Sequence, residues 1–340
     1  MIKPRPGRPT RGRPAGWPTG WPTGWQRVGV ATLLALLPHW RPALAATLIG
    51  ETAAYHIESP SETLMDIARR FDLGYVELRA VNPDIDPWQP RLGALVLLPL
   101  AHLLPDVPPA PARQSLIIIN LGDFRLYWLP AKGEPTSMPI GSAADPYPEP
   151  LGEGHIRGKR VNPVWTPPPT VRAEHPDLPP SVGPGPDNPL GAFALDMSWP
   201  AYAVHGTNKP DGVGRRVSHG CIRLYPEDIA RLFPQVGIGT RVVMVDQPIK
   251  LGWIDGELYL EAHPDRDQAD EIERNGTFVP HLSAQSTMDT RLWIARLAGD
   301  AVDRVDWGLV DDILSSRNGL PVPILKSPDT AAAGEQSPRR

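Results

Sequence analysis

Cys221 is the single cysteine of this 340-residue chain, and it lies in the segment VHGTNKPDGVGRRVSHGCIRLYPEDIARLF, which runs from Val204 to Phe233. The same segment holds His205, His219, Arg215, Arg216 and Arg223. A lone cysteine cannot form an internal disulfide. A thiol beside an imidazole and several cations has what a nucleophilic thiolate requires: a proton acceptor and positive charge that favours the anion. Cys221 is therefore expected to titrate well below the ordinary thiol value of about 8.5. If Ser218 to Leu224 is extended, His219, Cys221 and Arg223 share one face, and Ile222 and Leu224 face the core. Gly220 permits close backbone approach, and the amides of Gly220 and Cys221 could meet a developing oxyanion. His205, sixteen residues upstream of the cysteine, is the better general base, because it can approach the thiol from a neighbouring strand. Taken singly, each histidine reads as structural and the cysteine as a small buried hydrophobe. Their coincidence in one short segment argues for chemistry.

The surrounding sequence must position these groups, and it reads as mainly β with a few helices. Strands are expected at Ser115 to Asn120 and Asp123 to Leu129, around a Leu121-Gly122 turn. Others are expected at Ser137 to Ile140, Gly154 to Lys159, Ala192 to Leu195, Ala203 to His205 and Arg241 to Val245. A helix follows the cysteine, with Pro226 at its first position, Glu227 and Asp228 in its first turn, and its end at Phe233. Ten prolines fall between Asn162 and Pro189. No long strand or helix fits there, so the stretch reads as a lid or substrate wall, or as a plain surface excursion. Upstream, a βααβ pattern has strands at Tyr55 to Ile57 and Leu95 to Leu98. Its first helix is capped by Ser61 and carries Leu64, Ile67, Ala68 and Phe71 on one face; its second covers Tyr75 to Val81. Near the C-terminus, Thr290 to Ala298 and Asp300 to Leu314 have helical periodicity.

Composition narrows the function. The 44 prolines argue against an all-helical protein. The N-terminus has a basic stretch, an apolar run from Val28 to Leu37, and Ala43-Leu44-Ala45, the pattern of a cleaved export signal. The apolar run is too short to span a bilayer, which takes about 20 residues. Residues 1–45 hold seven of the 34 Lys and Arg and no Asp or Glu, which leaves 27 basic against 38 acidic residues, a net charge of −11. Such a balance excludes nucleic acid as a partner, because phosphate binding needs a basic surface.

The pattern H-G-T-N-x-P-x-x-x-G-x-x-V-S-H-G-C-I-R resembles the signature of the YkuD-type L,D-transpeptidase catalytic domain. Gly158 to Pro168 (GKRVNPVWTPP) and Gly185 to Gly191 (GPDNPLG) are similar to the same family. The βααβ stretch, with T-L-x-x-I-A-x-x-F and then L-x-x-x-N-P, resembles a LysM module, though Ser61-Glu62 stands where that module has Gly-Asp. The resemblance implies a LysM-like domain at 54–100 and a sandwich-like catalytic domain at 113–247; the residues themselves read as a signal peptide at 1–45, a proline-stiffened linker at 101–112, a C-terminal extension at 248–325 and a disordered tail at 326–340. The same resemblance implies that Cys221 attacks the bond between a diamino acid and terminal D-Ala of a peptidoglycan stem peptide, with His205 moving the proton. Gly206 orients His205; Ser218, His219, Gly220 and Arg223 shape the oxyanion and substrate pocket. The thioester then passes to an amine of another stem peptide or of an outer-membrane lipoprotein, in the periplasm, with no metal or organic cofactor and no membrane span once the signal is cleaved. An exported carboxypeptidase or amidase is the first alternative, and a non-catalytic wall-binding protein the second. Two patterns are set aside. Leu151 to Gly154 lacks the spacing of a phosphate loop. His205, His219 and Cys221 lack the spacing of a zinc site.

Overall fold

Two runs of β-branched and aliphatic residues, Leu116 to Ile119 and Val242 to Met244, are buried on both faces, and they form the middle of the molecule. The computed structural model describes residues 46–279 and 284–327. The expected export signal lies outside the described residues, as does the expected tail from residue 328 onward.

In chain order, the first elements are β1 (Leu48–Ile49), β2 (Ala53–His56), α1 (Leu64–Arg70), α2 (Tyr75–Val81), β3 (Leu95–Leu98) and β4 (His102–Leu103). Strand β2 pairs antiparallel with β3, and β1 with β4. Ile57, Leu64, Ile67, Leu78 and Val96 fill a small core between the helices and the hairpin. The cap of α1 is Thr63, not Ser61: Thr63 Oγ1 accepts the Asp66 amide at 3.2 Å, and Asp66 Oδ2 accepts the Thr63 amide at 2.9 Å. This reciprocal box satisfies two orphan donors at once, which a cap at Ser61 would not.

Next come β5 (Leu116–Asn120), β6 (Arg125–Leu129), β7 (Thr136–Pro139), β8 (Ser142–Ala143), β9 (Gly152–Val161), α3 (Pro169–Glu174), β10 (Phe193–Met197), β11 (Ala203–His205), β12 (Arg216–Ser218), β13 (Ile222–Arg223), α4 (Pro226–Leu232) and β14 (Arg241–Val245). Eight of the strands form one sheet in the order β13-β11-β10-β9-β14-β5-β6-β7. The short β8 and β12 pair with each other. One face of the sheet packs Leu195, Val204, Ile222 and Met244 against Ile229 and Leu232 of α4. The proline-rich segment is not wholly irregular, because α3 forms inside it from Pro169.

The chain ends with β15 (Ile249–Ile254), β16 (Glu257–Ala262), α5 (Arg266–Asn275), α6 (Ala284–Ala298), α7 (Trp307–Ser316) and β17 (Val322–Pro323). Apart from α5, whose Ala269 and Ile272 join the main core, these enclose a separate core of Leu258, Leu260, Ile294, Val310 and Leu314. The periodic run from Asp300 to Leu314 is not one helix. Gly299–Arg304 is a 3-10 turn, and Asp306 starts α7 afresh by accepting the Gly308 and Leu309 amides.

A buried charge network ties the parts together. Lys250 Nζ, on β15, donates to Asp123 Oδ2 at 2.7 Å, Tyr127 Oη at 2.9 Å and the Leu103 carbonyl at 2.9 Å, and pairs with Glu261 Oε1 at 2.6 Å. Arg125 pairs with Glu77 of α2 at 2.8 Å. His102 lies between Glu77 and Glu261, at 3.3 and 3.7 Å.

Candidate active site

The strands β10, β11 and β13 set the register of the site. Ala194 pairs with His205, and His205 with Arg223, so these side chains stand on one face of the sheet, away from the α4 core. Between β12 and β13 the chain turns at Gly220, where φ is +122° and an added Cβ would meet the Tyr202 ring at 3.0 Å. Only glycine suits both conditions. The segment from Ser218 to Leu224 is therefore bent, not one extended strand. The bend still leaves Ser218, His219, Cys221 and Arg223 along one cavity with His205, of about 790 Å3.

His205 is almost fully buried and its Nδ1 donates to the Gly206 carbonyl at 2.5 Å. Burial pushes its pKa down to about 4, with Arg223 and Arg160 adding to the effect and the Gly206 carbonyl opposing it. At neutral pH it is an uncharged imidazole whose Nε2 is left as the acceptor. Burial raises the Cys221 thiol, while the Ala203 amide, Arg223 and Arg160 pull it down. The expectation of a strongly activated thiolate is thus corrected: desolvation outweighs the nearby cations. The thiol donates to the Ala201 carbonyl at 3.6 Å.

The three arginines do not act alike. Arg223 lines the cavity, and its guanidinium has no hydrogen-bond partner among the described residues. Arg216 is turned away and buried, holding Asp145 at 2.7 Å and Asp270 of α5 at 2.6 Å. Arg215 lies 4.1 Å over the Tyr75 ring and pairs with Glu273. Both are structural clamps on the strand that precedes the cysteine. Nearby, Gly214 packs so closely on Gly74 that a Cβ would lie 2.2 Å from its Cα.

Ser218 Oγ accepts the Gly220 amide at 3.1 Å and donates to the Cys221 carbonyl at 2.7 Å. It fixes the turn, and in doing so it engages the Gly220 amide that the sequence had offered to an oxyanion. His219 points to the proline-rich segment and pairs with Glu174 of α3 at 3.0 Å.

Residues 114–244 match the family model described as the L,D-transpeptidase catalytic domain. The chain is 33% identical to the probable L,D-transpeptidase YcfS of Escherichia coli K12, over 85% of this chain and 89% of that protein. It is 32% identical to the probable L,D-transpeptidase YbiS of the same strain, over 87% and 94%. It is also 32% identical to the probable L,D-transpeptidase ErfK/SrfK of Salmonella typhimurium LT2, over 83% and 89%.

The chain belongs to the L,D-transpeptidase family.

In this L,D-transpeptidase the proline-rich segment forms a wall of the cavity, with Trp165, Val171 and Leu178 facing it. A latch joins the wall to the cysteine loop: Tyr147 donates to Glu174, Glu174 pairs with His219, and the Tyr147 and His219 rings lie 4.6 Å apart. Asn188 holds the base of the wall by donating to the Pro163 carbonyl at 2.6 Å and the Gly183 carbonyl at 3.0 Å. No local pattern of residues points to Glu174, Tyr147 or Tyr202. Asn188, by contrast, sits in the GPDNPLG stretch that marked the family.

Proposed function

We propose that this enzyme is exported to the periplasm and remodels peptidoglycan stem peptides through a thioester on Cys221. The observation that carries the reading is the shared cavity of the Cys221 thiol, a neutral His205 and an Arg223 guanidinium with no hydrogen-bond partner among the described residues. His205 Nε2 takes the thiol proton as sulfur adds to the carbonyl between the diamino acid and D-Ala. A neutral base of this kind supplies about 10²- to 10⁴-fold in rate. The tetrahedral oxyanion falls to the Cys221 amide and to Arg223, because Gly220 is engaged by Ser218. Collapse expels D-Ala, whose amine takes the proton back from His205. An acceptor amine, from a second stem peptide or a lipoprotein lysine, then attacks the thioester and frees the thiol. Ser218 and Gly206 hold the turn and the imidazole, and His219 latches the wall. No metal or organic cofactor enters these steps.

We assign residues 54–100 to a LysM-like glycan-holding role on the resemblance of their sequence and on the βααβ order of their elements. Residues 1–45 are the export signal in this reading, 101–112 the linker, 113–247 the catalytic domain and 248–325 an extension. Among the described residues no helix is long and apolar enough to cross a membrane.

Mass spectrometry of disaccharide-tetrapeptide incubated with the enzyme, beside Cys221→Ala, tests the reaction. Loss of D-Ala with dimer formation, absent in the variant, is expected. Loss of D-Ala with free tripeptide alone would make water the acceptor and the enzyme a carboxypeptidase. Unchanged substrate would leave the wall-binding role.

A further inference from the structure

Helix α5 lies beyond the end of the family match at residue 244, yet it turns a charged face to the strand that precedes the cysteine. Arg266, Asp270 and Glu273 stand at i, i+4 and i+7, along one stripe of the helix. Ala269 and Ile272, on the neighbouring stripe, are buried in the main core and seat the helix there. All three charges have partners around the nucleophile's turn. Asp270 Oδ2 accepts Arg216 Nη1 at 2.6 Å, Arg266 Nη2 donates to Glu149 Oε2 at 2.7 Å, and Glu273 pairs with Arg215 at 3.2 Å. Two of the partners, Arg216 and Glu149, have buried side chains. A buried charge keeps its place only with a partner, so α5 helps to decide where both sit.

Both of these pairs converge on Ala143 of β8. Glu149 Oε1 accepts the Ala143 amide at 2.8 Å, and Arg216 Nε donates to the Ala143 carbonyl at 3.3 Å. Ala143 stands opposite Ser218 in the β8–β12 ladder, and the Ala144 amide donates to the Ser218 carbonyl at 3.0 Å. Ser218 in turn accepts the Gly220 amide and donates to the Cys221 carbonyl. The path from α5 to the nucleophile is therefore a run of direct contacts: Asp270 and Arg266, then Arg216 and Glu149, then Ala143, Ser218 and Cys221. The ladder it crosses is two short strands with a register shift between Arg216 and Ser218, so backbone pairing alone holds this register weakly.

We propose that Asp270 and Arg266 of α5 are positioning residues for Cys221, which clamp β8 on β12 through Arg216 and Glu149 and so fix the turn that carries the thiol. The place of that turn sets the approach of sulfur to His205 and keeps the thiol in its buried setting. A misplacement of about 1 Å in such a site costs about 10²-fold in rate. The extension thus completes the site rather than lying beside it. This assignment rests on Cys221 as the nucleophile of the stem-peptide reaction.

Asp270→Asn and Arg266→Met, each made in the full-length enzyme, remove charges of opposite sign from the same clamp. Arg223, Arg160 and Asp196, which act on the thiol by charge, stay in place in both. D-Ala release from disaccharide-tetrapeptide and the pH midpoint of Cys221 alkylation are measured on variants whose near-UV circular dichroism shows them folded. We expect each variant to lower kcat about tenfold or more, with KM within about twofold of the parent. We also expect both to move the alkylation midpoint down toward about 8.5, because a loosened turn lets water reach the thiol. Asp270→Glu, which keeps the charge, should recover most of the lost kcat. Charges acting through space would part the two midpoints instead, down for Asp270→Asn and up for Arg266→Met, and that result would overturn the proposal. So would a kcat in both variants equal to that of the parent. If Asp270→Asn does not fold, Arg266→Met decides alone, since the shift expected of it is opposite to that of its charge. If the parent itself releases no D-Ala, the reaction reading fails, and the two midpoints still decide the clamp.

Discussion

The chemistry of Cys221 and His205 depends on burial more than on the cations that surround them. Iodoacetamide labelling of Cys221 should show a midpoint above the ordinary thiol value of about 8.5, because desolvation raises the thiol. Arg223→Ala should move that midpoint higher and slow acylation by about 100-fold, with little loss of thermal stability. A midpoint below 8.5 would restore the activated thiolate. His205 makes a separate prediction about folding. Its pKa falls from 6.5 to about 4 in the folded protein. The unfolded chain therefore binds more protons between these values, and stability rises with pH across that window. Denaturant titrations should show the His205 contribution complete above pH 6.5 and lost as pH falls toward 4. His205→Gln should flatten that dependence, and an unchanged slope would show that other groups set it.

At the level of elements, the latch between α3 and the cysteine loop should govern access to the cavity. Glu174→Gln removes the charge that pairs with His219. It should raise the rate of cavity acylation and of tryptic cleavage at Arg172 several-fold. Global stability should change by less than about 1 kcal/mol, as is usual for exposed pairs. Unchanged rates on both readouts would make the contact incidental. The latch was hidden in the sequence because Tyr147, Glu174 and His219 are far apart in the chain and belong to no local pattern. What was legible followed from local rules. The positions of α4 and the central strands came from Pro226 with its acidic first turn and from buried β-branched runs. The β15–β16 hairpin is also legible in principle, since Asp255-Gly256 is a strong turn signal between apolar strands. The periodicity through Val305 misled, because amphipathic spacing continues across a break that only the Asp306 cap reveals. The arginines misled in the same way. Arg215, Arg216 and Arg223 look alike in sequence, and only partners distant in the chain, Tyr75, Asp145, Asp270 and Glu273, separate the two clamps from Arg223, whose guanidinium has no hydrogen-bond partner among the described residues.

Across the whole molecule, the buried network argues that the parts are not independent beads on a string. The family match ends at residue 244, yet Lys250, which neutralises Asp123 in the turn between β5 and β6, lies beyond it. Arg125, in the sheet, is neutralised by Glu77 from α2. Burial of charge is tolerated only where a partner is present, and removing one partner costs about 3–5 kcal/mol. Lys250→Met should therefore destabilise the whole chain by about that amount, since it leaves Asp123 and Glu261 without their common cation. Residues 113–247 expressed alone lose both Lys250 and Glu77, and keep Asp123 and Arg125 in place. The two orphaned charges lie in the β5–β6 turn and at the start of β6, but Arg125 reaches toward α2 and Asp123 toward β15, so neither substitutes for the lost partner of the other. The excised segment should show no cooperative thermal transition, whereas residues 46–327 should show one. A cooperative transition in the short segment, with Cys221 labelling at its full-length rate, would mean that the sheet can shed these charges to water and that the flanking units are accessories to a self-sufficient catalytic core.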